Sequence, residues 1–327
     1  MTYSTGGLIQ ATDYNGFVST TSGANINATW STGATNSGWG QTALATVSAG
    51  GTVTAAQWAS LVNTLASMGS QTGTTLTSRT APTAGQTITA LAAVNTDITN
   101  CYTNRGNATA SGTAYGTFSG TTSKTTATGS GQTTWTITFT HTVTFPTADQ
   151  ARYFFNAGGI VKIQYGKSST GTDIDPDWNA FAALCGSINI TGGAQTIASQ
   201  AYTGTTRLGG TGGTQTTLAT TTGWYALTGT PVTIFQLNNA TSPYTGEYIR
   251  TQASASATVL TLTTTWVQPA VSGAGTTCNI SGGTAVASPA TTIGAATAPT
   301  TLVTYVPPST TYLTNSWGTP SIAASVA

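Results

Sequence analysis

Catalysis and metal binding need side chains that ionise near neutrality or coordinate ions, and this sequence carries few of them. It has one histidine, His141, and one glutamate, Glu247. His141 falls among apolar residues in an alternating run. That placement predicts a core or interface histidine with one nitrogen satisfied, rather than a general base. No Gly-x-Ser-x-Gly stands in a strand-to-helix context to recruit it into a triad, and no clustered His or Cys supplies zinc ligands. The sequence places no aspartate opposite Glu247, so the paired carboxylates of glycoside cleavage are not evident. The expectation is a chain that is not an enzyme, with no catalytic residues and no cofactor.

The one acidic cluster is Asp173-Ile174-Asp175-Pro176-Asp177, followed by Asn179. Oxygen ligands at alternate positions suggest a calcium loop. However, Trp178 stands where the sharp-turn glycine would be, and Leu184 where the bidentate glutamate would be. A helix start explains the same residues: Asp175 as N-cap, Pro176 at the first helical position and Asp177 favoured by the helix dipole. No metal is therefore expected, with Asp173, Asp175 and Asp177 as weak candidates. The run Gly209-Gly210-Thr211-Gly212-Gly213 lacks the Lys-Ser/Thr of a phosphate loop and reads as a flexible loop. Cys101, Cys185 and Cys278 are odd in number and far apart, which fits free thiols better than a disulfide framework.

The elements that would position these residues follow two periods. Thr54-Ala55-Ala56-Gln57 is a capping box, and Trp58, Leu61, Val62, Leu65 and Met68 follow at helical spacing, with Gly69 as the stop. A second helix is expected over 86–105, with Leu91, Val94, Ile98, Cys101 and Tyr102 on one face, and a short one around 12–18. The two longer helices form a hairpin whose apolar stripe, including Trp58, Leu61 and Leu65, must be covered by something. From about residue 113 the period becomes two. Trp135, Ile137, Phe139, His141, Val143 and Phe145 alternate with threonines from Thr134 to Thr144, giving an apolar face and a threonine ladder. Further strands are expected at 160–165, 187–191, 224–228, 231–237, 246–254, 257–267 and 301–306. Short helices are expected after Thr147 and Asp175. Residues 205–223 read as a long exposed loop, and 268–300 as a linker or extended arm. Trp224, Tyr225 and Tyr244 lie near loops and are candidates for subunit contacts, where aromatics are enriched, or for stacking on a sugar.

Composition excludes whole classes. The chain has 327 residues, with 8 Lys+Arg against 7 Asp+Glu. Charged residues are 5% of the total, against roughly 25% in ordinary domains. Threonine supplies 78 residues and glycine 39. With 38% hydrophobic residues the chain can build cores, so an acidic or basic disordered chain is excluded. A net charge of +1 gives no footprint for nucleic acid. No window is apolar enough for a membrane span. The start, Met1 to Gly7, lacks the basic and apolar regions of a signal peptide, so folding in the cytoplasm of the producing cell is expected.

Two stretches carry a family resemblance. One is Gly7-Leu8-Ile9-Gln10-Ala11-Thr12-Asp13-Tyr14-Asn15 with Gly38-Trp39-Gly40-Gln41 and the helix from Thr54 to Leu61. The other is Ala151-Arg152-Tyr153-Phe154-Phe155-Asn156-Ala157-Gly158-Gly159 with Asp177-Trp178-Asn179. In these the chain resembles virion structural proteins of tailed bacteriophages, tail-fibre or appendage proteins in particular. The resemblance implies a virion location, a homotrimer, contacts with other virion proteins of the tail or head, and a role in host attachment. Head decoration, and binding of a host surface glycan, are the alternatives. The expected fold is mainly β, of the α+β type. It comprises an N-terminal helical attachment region over 1–112, an antiparallel β-sandwich with short helical insertions over 113–270, and a C-terminal Gly/Ala/Thr/Pro-rich arm with one short strand over 271–327.

Overall fold

The computed structural model describes residues 10–19, 23–34, 36–86, 91–110, 112, 122–123, 135–169, 175–212, 214–240, 244–269 and 299–327. Asp173, Cys278 and most of the expected arm, 271–298, lie outside these described residues. The chain opens with α1 (Ala11–Val18), α2 (Ile26–Trp30), α3 (Ala55–Thr72) and α4 (Leu91–Thr103), then β1 (Asn107–Ala108) and β2 (Thr122–Ser123). It continues through β3 (Trp135–Thr144), α5 (Ala148–Asn156), β4 (Ile160–Gly166), α6 (Asp175–Cys185), β5 (Ser187–Ile197), β6 (Gln200–Leu208) and β7 (Thr214–Leu218). The last strands are β8 (Val232–Asn238), β9 (Tyr248–Ala255), β10 (Val259–Gln268), β11 (Thr300–Val306) and β12 (Ser321–Val326). The chain is mixed α and β, and mostly β.

Local chemistry accounts for the helices. Thr54 accepts from the Gln57 amide, and the Gln57 side chain returns to the Thr54 amide, so the capping box forms. Thr147 caps α5 in the same way through the Gln150 amide. The helix α3 passes through Gly69, whose missing side chain makes room for Leu76, and stops instead at Gly73. Gly73 adopts φ 65°, the left-handed cap that closes a helix.

Two six-stranded sheets form the body. The first has the order β1-β5-β4-β11-β2, with β6 also paired to β5, and only the β1–β5 pair is parallel. The second is antiparallel throughout, in the order β12-β3-β10-β9-β8-β7. Alternation fixes its register. Ile137, Phe139, His141 and Val143 of β3 are buried, and the intervening threonines face away from the first sheet. The two sheets meet through side chains: the Tyr165 hydroxyl lies 2.7 Å from Thr251 Oγ1, and Trp266 Nε1 donates to Thr301 Oγ1 at 3.1 Å.

One buried core runs without interruption from Tyr14, Phe17 and Trp58 through Phe145, Phe154 and Phe155 to Trp266 and Trp317. The helices at the start of the chain pack against the sheets. Trp58, Leu61 and Leu65 are therefore covered by this chain's own residues rather than by a partner.

Three sequence expectations give way to tertiary context. Residues 205–223 contain the last four residues of β6 and all of β7, because Thr and Gly conceal their strand character. Residues 224–228 hold a single 3-10 turn, Trp224–Ala226, not a strand. Residues 299–327 supply two strands, not one: β11 pairs with β4 in the first sheet, and β12 pairs with β3 in the second.

Candidate functional site

Asp177 and Trp178, adjacent in the first turn of α6, both reach the same end of the second sheet. Trp178 Nε1 donates to Gln268 Oε1 at 2.8 Å, and its ring lies 5.4 Å from that of Trp266. These contacts fix the helix start, and Asp177 follows. Its Oδ2 accepts from Asn239 Nδ2 at 2.6 Å, and the same nitrogen donates to Glu247 Oε2 at 2.8 Å. Asn239 follows β8 and Glu247 precedes β9. Their connection is closed by Asn239 N to Glu247 O at 2.9 Å and Glu247 N to Tyr244 O at 3.0 Å.

Glu247 is 0% exposed, and its Oε1 is buried without a hydrogen bond. Burial pushes its carboxyl up to about 9; Asp177 adds to the rise, while the Asn239 and Gln268 amides oppose it. Burial raises Asp177 as well, against the hydrogen bonds from Glu247 and Asn239. The two groups titrate as one unit, and at neutral pH the pair keeps a proton. Glu247 has no accessible surface from which to exchange a proton with a substrate. What the pair can do is hold two segments together while it remains protonated.

The chain matches no protein-family model, no curated protein and no solved structure. The carboxyl pair therefore stands on its own chemistry. Among the described residues, no three His, Cys, Asp or Glu side chains gather as a metal group, and no helix is long and apolar enough to cross a membrane.

The residues singled out in the sequence are distributed as follows. Asp175 begins α6, and Asp177 shares the Asn239 amide with Glu247. Trp224 is buried, stacked on Phe155 at 5.0 Å and edge-on to Phe145 at 5.6 Å. Tyr244 is buried too. Neither ring is open to a sugar or a partner, because both are buried in the main core. Tyr225 is half-buried beside a recess of about 250 Å³ lined by Arg105, Asn156 and Gln195, and its hydroxyl donates to Asn156 Oδ1 at 2.6 Å. His141 is fully enclosed on the inner face of β3.

In the glycine run, Gly209, Gly210 and Gly212 all have positive φ, and Gly210 packs against α6. A Cβ on Gly210 would stand 2.2 Å from the Leu184 carbonyl oxygen, and its φ is 68°. Glycine there lets the chain cross the end of α6, where Arg207 donates to the Leu184 and Cys185 carbonyls. Cys101 and Cys185 are buried and free.

Sequence reasoning missed Asn239 and Glu247 as partners of Asp177, and Gln268 as the partner of Trp178. The only local signal was that a chain so poor in charge has a single glutamate. Nothing in its spacing points to Asp177.

Proposed function

We infer that this chain is a non-enzymatic structural protein of a tailed-phage virion, a tail-fibre or appendage subunit with a β-sandwich body that packs against identical copies and supports host attachment. The observation that carries the inference is the outer face of the second sheet. Cross-strand register aligns Ser325, Thr140, Thr263 and Gln252 in one row, and Ala323, Thr142, Thr261 and Ser254 in the next. A third row places Thr138, Thr265, Arg250 and Gln236 together, with Thr265 already buried within the chain. Arg250 is the only charged residue in these three rows.

A face of hydroxyls and small side chains can be buried against another copy without desolvating ions, which is costly. Identical copies also bring no like charges together there. A low-charge surface on a lone protein favours association. The resemblance of the 7–61 and 151–179 segments to phage virion proteins supplies the biological setting, and the trimer follows from that resemblance.

The test is the mass of the purified chain in solution, together with antibody labelling of virions seen by electron microscopy. A trimer and label on the tail are expected. A stable monomer overturns the assembly reading, and label on the head replaces the appendage with a decoration protein.

A further inference from the structure

A fully buried carboxyl in contact with a second, half-buried one must shed charge, or the two are driven apart. Asp177 and Glu247 accept from one amide nitrogen, at 2.6 and 2.8 Å, which keeps the two groups side by side. They belong to different segments, the first turn of α6 and the residue before β9. The groups facing Glu247 are Asp177 from α6, Asn239 and the Tyr244 carbonyl from its own connection, and Gln268 from the end of β10. None of these is a cation. Arg207 is engaged at the far end of α6 by the Leu184 and Cys185 carbonyls. Lys167, just past β4, donates to the Ser168 carbonyl.

We propose that a single proton shared by Asp177 and Glu247 latches the start of α6 to the β8–β9 connection, and that its loss to solvent in alkaline conditions releases this contact. While the proton is present, one carboxyl donates its O–H to the other, and Asn239 supplies a donor to each. When it leaves, the buried Glu247 anion and the half-buried Asp177 anion share one bridging amide. Their repulsion acts between α6 and the connection, which these contacts hold together. Trp178, held by Gln268 and Trp266, keeps the helix body docked, so the opening is confined to the Asp177, Asn239 and Glu247 contacts. Returning to lower pH restores the proton and the contact. The latch does not depend on the virion assignment.

The chain has one glutamate, so labelling with [δ-13C]glutamate gives Glu247 a single carboxyl resonance in the unaltered full-length protein. The expected result is a resonance that stays at the protonated position through pH 7 and titrates only above it. Asp177→Asn is expected to lower the midpoint by at least one pH unit. Amide exchange in residues 239–247, corrected for its intrinsic pH dependence, is expected to accelerate over the same interval. A midpoint in the ordinary glutamate range overturns the proposal. Titration without any change in exchange at 239–247 overturns the latch. Saturable displacement of the resonance at pH 7 by calcium also overturns it, since an ion would then hold the pair. The wild-type titration decides the matter even where a variant fails to fold.

Discussion

Gln41 and Thr314 pair their polar groups as two strand residues would, although 273 positions separate them. Gln41 Nε2 donates to the Thr314 carbonyl at 3.0 Å, and Gln41 Oε1 accepts from the Thr314 amide at 2.8 Å and from its hydroxyl at 2.7 Å. The same device recurs nearby. Asn15 exchanges two 2.8 Å bonds with Val47, and Asn27 exchanges two 2.9 Å bonds with Leu44. Side-chain amides thus replace a backbone ladder for a segment without regular structure, with no charge involved. Gln41 is buried while Thr314 is exposed, so in Gln41→Ala water can take over the Thr314 groups and the lost bonds are expected to cost about 1 kcal/mol. A urea denaturation midpoint, read with an unchanged slope, checks it.

The carboxyl pair sets a direction for stability with pH. Glu247 is held up to about 9 in the folded chain, well above its unfolded value near 4.3. Between those values the folded state binds more protons than the unfolded state, so this group's contribution falls as pH rises. Unfolding of the wild type is expected to become easier from pH 5 to 9, by an amount on the order of a few kcal/mol. Glu247→Gln cannot ionise and is expected to remove most of that slope. A wild type whose stability rises across this range contradicts the assignment.

The β5–β6 hairpin carries strain that ordinary turn chemistry would relieve. Ala198 and Ser199, its two central residues, have φ of 48° and 66°, and Ile197 pairs directly with Gln200 across the turn. Positive φ at both positions suits Asn-Gly, not Ala-Ser. Replacing the pair by Asn-Gly is expected to stabilise the protein by about 1 kcal/mol, seen as a higher thermal midpoint. A lower midpoint would mean that the Ala-Ser side chains make contacts worth more than the strain.

What was legible in the sequence depended on contrast between the two faces of an element. β3 alternates large apolar residues with threonine, so its extent and its buried face were plain. In α3, the Thr54–Gln57 box and the stripe from Trp58 to Met68 were equally plain. β6 was hidden because Gly204 and the threonines at 203, 205 and 206 give no apolar period. β12, Ser-Ile-Ala-Ala-Ser-Val, is an edge strand of small residues with little apolar contrast. The candidate site was illegible for another reason: Asp177 and Glu247 meet only because Trp178 docks α6 on the end of the second sheet. Long-range docking of that kind leaves no spacing in the chain.

Trp224 tests whether the loop aromatics act in packing or in recognition. Its ring is sandwiched by Phe155 and Phe145, so Trp224→Ala opens a cavity in the main core. A destabilisation of about 3–5 kcal/mol is expected. An exposed recognition residue would instead leave the unfolding midpoint within about 0.5 kcal/mol. Calorimetry separates the two outcomes.

The threonine face makes the assembly reading falsifiable without disturbing the fold. Thr263 lies on the inner strand β10, opposite Thr140 on one side and Gln252 on the other, and its side chain is partly open. A lysine there keeps its stem along the sheet and its charge in solvent, so monomer stability is expected to change by no more than about 0.5 kcal/mol. If copies pack through this face, each would bring a cation to the contact, where it must be desolvated without a partner. Thr263→Lys is therefore expected to raise the concentration at which oligomers dissociate at least about tenfold, a difference of about 1.4 kcal/mol. Sedimentation of wild type and variant at matched concentrations gives the comparison. Equal dissociation would assign the contact between copies to another surface, while a large loss of monomer stability would show that the threonine row is covered within the chain itself.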